Sequence, residues 1–221
     1  DAEILLSDIM GVKREYLITN NQTIIPKKIL EKYSFAIERR IKREPIAYII
    51  GKKEFWSEDF IVNKSTLVPR PETELLIYKI INLYKKKKII ILDIGTGSGC
   101  LLITLLKELV NARGLGIDVS PKAIKTAKIN ARNFDIKNRV EFKVFDVSKF
   151  IIGKYDLIVS NPPYIRTCDI KNLSADVRKF EPKIALDGGK DGLDVIRKVI
   201  YKSGTILKKL GWLALEIGHG Q

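Results

Sequence analysis

The sequence predicts an α/β fold: a parallel sheet with helices on both faces, preceded by a small helical segment. Three observations predict it. Residues 89–94, "IIILDI", form a continuous apolar run, the pattern of a strand covered on both faces. From there to residue 217, strand-like and helix-like segments alternate, which is the order of a parallel sheet. Before residue 50 the apolar spacing is helical.

Taken in order, Ile4, Leu5 and Ile9 share a face of a first short helix, and Ile29, Leu30, Tyr33, Ile37 and Ile41 continue the helical spacing. Residues 1–50 therefore read as a helical domain. Residues 51–74 change character. The stretch from Glu54, "EFWSEDFIVNKSTLVPRP", is aromatic and β-branched with turn residues, the composition of a β-hairpin linker. Residues 75–221 form the sheet domain. The run Lys85 to Lys88 is a solvated turn before its first strand. A helix around 98–109 follows that strand, and 114–119 is a second strand. Ser120 and Pro121 then start a helix over 121–133. Residues 140–145 and 155–160 are the third and fourth strands. A helix over 192–209 carries Leu193, Ile196, Ile200 and Leu207 on one side, and 212–217 is a fifth strand.

The 221 residues are 45% hydrophobic and 30% charged, a soluble globular composition. No apolar run is long enough to span a membrane and no signal-peptide pattern opens the chain, so a cytoplasmic protein without a membrane partner is expected. Cys100 and Cys168 form no CxxC pair, which argues against a metal site and suits a reducing compartment. Lys+Arg is 40 against Asp+Glu 26, a formal charge of +14. Such a surface can attract nucleic acid or an acidic protein. The lysines are scattered, which favours a solvated surface, so nucleic acid is permitted as a partner but not required. Asp1 in place of Met, and an end at Gln221 soon after a strand, read as a missing start and an incomplete sheet.

"LDIGTGSGC" joins the first strand to its helix. Gly95, Gly97 and Gly99 let the backbone turn sharply and approach a ligand, and with Thr96 and Ser98 they lead into a helix N-terminus with free N–H groups. Asp118 ends the next strand about twenty residues later, where an acid commonly takes a ribose hydroxyl pair. The loop is neither GxGxxG nor GxxxxGK[ST], and Asp93 just before it would repel a pyrophosphate. A carboxylate there suits a cationic cofactor, and S-adenosyl-L-methionine carries both a sulfonium and an ammonium. Asp146, after the third strand, reads either as an acceptor for the adenine amino group or as a helix N-cap. Cys100 reads as a packed core thiol and His219, the only histidine, as a surface residue.

"SNPPYI" ends the fourth strand at the same edge of the sheet. Asn161 offers a side-chain carbonyl; Pro162 offers a backbone carbonyl and no competing donor. Pro162 and Pro163 stiffen the exit before anything binds. The result is an acceptor-rich clamp for a substrate NH2 group, with Tyr164 available to pack on the flat group that bears it. Asn161, Pro162 and Tyr164 are the expected catalytic residues; with Pro163 they are the expected substrate contacts.

At these residues the chain resembles the class I methyltransferases, which have a Rossmann-like sheet, and more narrowly the HemK/PrmC family of release-factor glutamine-N5 methyltransferases. "REPIAYIIG", "EFW", "LVPRPETE", "LDIGTGSGC", "SNPPYI" and "EPKIALDGGKDGLD" match that family's pattern in order. The resemblance implies methyl transfer from S-adenosyl-L-methionine, leaving S-adenosyl-L-homocysteine, to the glutamine of the GGQ motif in peptide chain release factors, and hence a part in translation termination. It implies that 1–50 contacts the release factor, that 51–74 is the linker and that 75–221 is the methyltransferase domain, short of its last helix and two strands. Family roles fall on Gly95 to Gly99 and Asp118 for the cofactor, on Asn161 for cofactor and substrate, and on Pro162 to Tyr164 for the glutamine. Val147 stands where relatives place a larger side chain beside the adenine. Arg70 and Glu72 match the linker motif and either shape the pocket rim or form a linker–domain salt bridge. Three alternatives share parts of this pattern: glutamine methylation of a ribosomal protein, methylation of an exocyclic amine in RNA or DNA, and one half of a bifunctional chain with a tRNA methyltransferase domain.

Overall fold

The computed structural model describes residues 1–221. The leading segment folds as four helices, α1 (Ala2–Met10), α2 (Arg14–Thr19), α3 (Lys27–Ile41) and α4 (Ile46–Ile50). Its core is thin. Leu5, Ala36 and Tyr48 are buried, whereas Ile4, Leu30 and Ile41, expected on the inner faces, are exposed. The hairpin β1 (Lys52–Phe55) and β2 (Glu58–Ile61) follows, paired antiparallel.

The hairpin occupies only the first part of the expected linker, and it is packed into the sheet domain. Phe55 and Phe60 belong to the main hydrophobic core. After it, a 3-10 turn at Pro71–Thr73 runs directly into α5 (Glu74–Tyr84). The sheet domain then alternates β3 (Ile90–Ile94), α6 (Cys100–Glu108), β4 (Arg113–Asp118), α7 (Pro121–Asn133), β5 (Val140–Val144), β6 (Tyr155–Ser160), α8 (Ala175–Phe180), α9 (Asp194–Ile206) and β7 (Leu207–Leu215). The five sheet strands are parallel in the order β5-β4-β3-β6-β7. One face packs under α5, α6, α7 and the hairpin; the other is covered by α9 through Val199 and Ile206. No helix is long and apolar enough to cross a membrane.

The strand order reverses between β3 and β6, and a crevice opens at the carboxyl ends of strands at such a switch point. Asp93 is level with Val159 in this pair, so the turns leaving β3 and β6 emerge side by side. The Ser160 hydroxyl donates to the Ile94 carbonyl at 2.6 Å and holds them together.

The largest departures from the boundaries read in the sequence are at the last helix and strand. The last helix stops at Ile206, not 209, and β7 begins at once with Leu207. Its pairing with β6 breaks between Tyr155 and Leu157, and Leu210 has φ of 66°, so residues 208–211 are looped out before Trp212 re-enters the ladder.

Asn130 on α7 is fully buried and ties the hairpin to the domain. Its Oδ1 accepts from the Ile61 N–H at 2.9 Å, and its Nδ2 donates to the Ile61 carbonyl at 3.0 Å and the Ser98 carbonyl at 2.8 Å. Asn130→Ala leaves three backbone groups without partners and is expected to lower unfolding stability by about 2–4 kcal/mol, read from urea denaturation.

Candidate active site

The crevice is a cleft of about 310 Å³ at the switch point. The turn after β3 forms its floor. Gly95 and Gly97 have φ of 72° and 56°, a region that side chains other than glycine rarely adopt, and this lets the chain reverse between strand and helix. The N–H groups of Gly95 and Thr96 both donate to the Ile117 carbonyl, at 2.9 and 3.0 Å, which anchors the turn to β4.

Asp118 completes the anchor. Its Oδ2 accepts from the Gly97 N–H and its Oδ1 from the Ser120 N–H, each at 2.9 Å. Each oxygen retains a lone pair, and Asp118 lines the cleft, so the carboxyl has acceptor capacity left for a pair of hydroxyls. Burial pushes its carboxyl above the usual range, opposed by these N–H bonds.

Asp93 lies deeper and is buried, with the Thr96 hydroxyl donating to its Oδ2 at 2.6 Å. Burial, opposed by that bond and reinforced by the negative charge of Asp118, pushes the Asp93 carboxyl up to about 7. Asp146 is exposed and caps the 3-10 turn at Val147–Lys149 by accepting from the Ser148 N–H at 2.8 Å. The cap reading of Asp146 is thus realised, and the residue also lines the cleft, beside buried Val147. Its carboxyl is held below the usual range mainly by the Ser148 N–H bond.

The opposite wall is the turn after β6. Asn161, Pro162 and Pro163 line the cleft. Asn161 Nδ2 donates to Thr73 Oγ1 at 3.1 Å, and the Thr73 hydroxyl donates to Glu216 Oε2 at 2.6 Å. No protein donor reaches Asn161 Oδ1 or the Pro162 carbonyl, so two acceptors stand open side by side in the chain. The exit is braced by the segment 186–189. Ile165 N–H donates to the Leu186 carbonyl at 3.0 Å and Gly188 N–H to the Ile165 carbonyl at 2.8 Å. A side chain at Gly188 would meet the Pro163 carbonyl oxygen at 2.7 Å.

Three residues that the sequence reading gave to the site or its rim, Gly99, Tyr164 and Glu72, do not line the cleft. Gly99 packs behind the floor, where an added Cβ would lie 3.0 to 3.3 Å from Ile103, Ala127 and Phe142. Its glycine serves both the turn, with φ of 81°, and close helix–strand packing. Tyr164 is partly buried outside the cleft wall, its hydroxyl 3.4 Å from Glu216 Oε1. Arg70 does line the cleft and also pairs with buried Glu181 at 2.6 Å, so the rim and salt-bridge readings are both realised. Glu72 is exposed and outside it. Burial pushes the Cys100 thiol up to about 12, so it is not an activated nucleophile, and His219 is exposed. Thr73, Glu181 and Glu216 were missed as members of the site; their only signal in the sequence is membership of the "PRPETE", "EPKIAL" and "EIGHGQ" stretches.

The cleft fits the cofactor that the sequence suggested. Acidic groups, Asp93 and Asp118 among them, line its floor, and Ile117, Phe145 and Val147 give it an apolar wall. Residues 59–208 match the family described as "Methyltransferase domain", and residues 1–51 match "PrmC N-terminal domain". The chain is 42% identical over 221 residues to the release factor glutamine methyltransferase of Buchnera aphidicola subsp. Schizaphis graminum, covering 100% of this chain and 80% of that protein. It is 41% identical over 229 residues to the release factor glutamine methyltransferase of Clostridium acetobutylicum, covering 100% of this chain and 79% of that one. Among solved structures, the catalytic domain of hMettl16 in complex with a 3′UTR hairpin matches with a TM-score of 0.60 at 17% identity, over 73% of this chain and 62% of that one, which shows a shared fold.

The raised Asp93 carboxyl gives a test. Folded Asp93 keeps its proton up to about 7, whereas the unfolded chain loses it near the ordinary value of about 4. The folded state therefore binds more protons in that window, and this group's contribution to stability falls as pH rises through it and levels above about 7. A cationic ligand favours the ionised form, so affinity for S-adenosyl-L-methionine is expected to rise from about pH 6 to about pH 8. Calorimetry across that range checks it, and Asp93→Asn should flatten the profile.

Proposed function

The chain belongs to the release factor glutamine methyltransferase family, and on that premise we propose that its cleft directs a methyl group onto the side-chain amide nitrogen of the GGQ glutamine in peptide chain release factors. The observation that carries this reading is the pair of unclaimed acceptors, Asn161 Oδ1 and the Pro162 carbonyl, beside the cofactor floor. A primary amide has two N–H donors, and two acceptors hold both. When bound, S-adenosyl-L-methionine supplies an electrophilic methyl on its sulfonium and is released as S-adenosyl-L-homocysteine.

Asn161 and Pro162 orient the amide so that its nitrogen lone pair faces the methyl and not the amide plane. Amide nitrogen is a poor nucleophile because its lone pair is delocalised, so alignment supplies much of the rate. As the nitrogen becomes positive, the two acceptors bind its protons more strongly than in the ground state, which is the condition for lowering the barrier. One of those protons is then lost to water. Asp118 and the loop Gly95 to Ser98 hold the cofactor's sugar and amino-acid portions, with Asp93 balancing positive charge. Asp146 and Val147 border the base. The helices of residues 1–50 recognise the protein substrate: Glu31 and Glu38 stand among Lys32, Arg40 and Arg43, and a phosphate-binding stripe would lack the acids.

Methyl-labelled cofactor offered to purified release factor, to release factor lacking the motif glutamine, to ribosomal protein or to bulk RNA is expected to label the first alone. Asn161→Ala should bind cofactor within about twofold of normal and lose about a hundredfold or more in turnover. Asn161→Asp is expected to be about as poor, because a carboxylate cannot donate to Thr73 as the Asn161 amide does. In Asp118→Ala the ribose contacts and the Gly97 anchor are both lost, and cofactor affinity should weaken by about 1.5–3 kcal/mol by calorimetry.

A further inference from the structure

Thr73 and Glu216 come from opposite ends of the domain, one from the turn before α5 and the other just beyond β7. They meet behind Asn161. Thr73 is buried, and its hydroxyl has a single proton, which it donates to Glu216 Oε2 at 2.6 Å. A carboxylate only accepts, so that proton is committed. What remains on Thr73 Oγ1 is lone pairs, and these can face only a donor. Asn161 meets that demand with Nδ2 at 3.1 Å. The direction of the chain is thus set from its acceptor end: carboxylate, hydroxyl, amide NH2.

We propose that Thr73 and Glu216 are positioning residues that fix which face of the Asn161 amide the substrate meets. An asparagine amide is nearly symmetric in shape, and a flip about its terminal torsion exchanges oxygen for NH2 at little steric cost. In the flipped state the cleft would present a donor to a substrate amide that brings two donors of its own. The relay forbids this, because a flipped Asn161 would set its oxygen against the Thr73 lone pairs. Glu216 also lies 3.4 Å from the Tyr164 hydroxyl through Oε1, so one carboxylate takes hydrogen bonds from behind Asn161 and from the far end of the same turn. Its backbone joins in as well: the Glu216 N–H donates to the Ser160 carbonyl at 3.1 Å, next to Asn161.

This inference rests on the reading of Asn161 as the substrate's acceptor, and the experiment separates the two. Turnover, KM for release factor and cofactor affinity are measured for Thr73→Val, Thr73→Ser, Asn161→Ala and the double variant Thr73→Val/Asn161→Ala. Valine keeps the shape without the hydroxyl and is expected to lower kcat about tenfold to a hundredfold with cofactor affinity within about twofold. Serine restores the hydroxyl and most of the turnover. In the Asn161→Ala background, Thr73→Val should cost nothing further, since no amide remains to orient. Normal kcat in Thr73→Val, an equal fold-loss in both backgrounds, or a serine variant as poor as valine would each overturn the relay. Should Thr73→Val not fold, Glu216→Gln replaces it: a glutamine amide can donate to Thr73 and release its proton, and kcat should fall in the same way, whereas normal kcat overturns the relay. Normal turnover in Asn161→Ala would overturn the clamp itself, and the relay with it.

Discussion

Asn130 commits both protons of its amide nitrogen and one lone pair of its oxygen to backbone groups. Two of those groups belong to Ile61 at the end of the hairpin, and the third is the Ser98 carbonyl in the floor of the cleft. One side chain in α7 thereby fixes the distance between the hairpin and the cofactor loop. Asn63 Nδ2 adds a bond to Thr126 Oγ1 at 2.8 Å one turn earlier in the same helix. Buried amide bonds of this kind are costly to break singly, because each broken one strands a backbone group. The floor of the cleft inherits its rigidity from this seam.

The rim at Arg70 is held by a carboxylate. Glu181 is buried and accepts from Arg70 at 2.6 Å and from the Val68 N–H at 3.3 Å. Burial pushes its carboxyl upward while the Arg70 guanidinium pulls it back down, the balance expected of a desolvated pair. Beside it the Tyr48 hydroxyl donates to the Thr66 carbonyl at 2.6 Å, so α4 of the leading segment is fastened to the strip that borders the cleft. The leading helices and the edge of the cleft are mechanically continuous through these contacts.

What the sequence made legible was local. The strand at 155–160 and the helix at 121–133 end where the sequence placed them, since Ser120, Pro121 and Pro162 mark their limits chemically. The end of α9 carries no such mark, and a leucine in the left-handed region at 210 has no signature among its neighbours. The glycine loop and the asparagine–proline turn could be read because each acts within a few residues. The ties that place them could not. Asn130 looks like a polar interruption of the apolar stripe Ala123, Ile124, Ala127 and Ala131, and its partner lies 69 positions away. Arg70 and Glu181 are 111 positions apart, and Thr73 and Glu216 are 143. Gly99 shows the reverse limit: all three glycines of the row turn the chain, and nothing local marks the one that also packs.

The open acceptors of Asn161 and Pro162 also amount to a count of hydrogens. An unmodified primary amide satisfies both. After one methyl has been added, the product amide retains a single N–H and can satisfy only one, leaving the other desolvated against a methyl group. On the proposed reading the site therefore holds its substrate better than its product, so release is helped by the chemistry just completed and a second transfer to the same nitrogen is disfavoured. A deamidated side chain, a carboxylate with no hydrogens at all, meets two lone-pair-bearing oxygens and is turned away. Discrimination between zero, one and two protons thus follows from two acceptors set side by side, with a proline where any other residue would have brought an N–H.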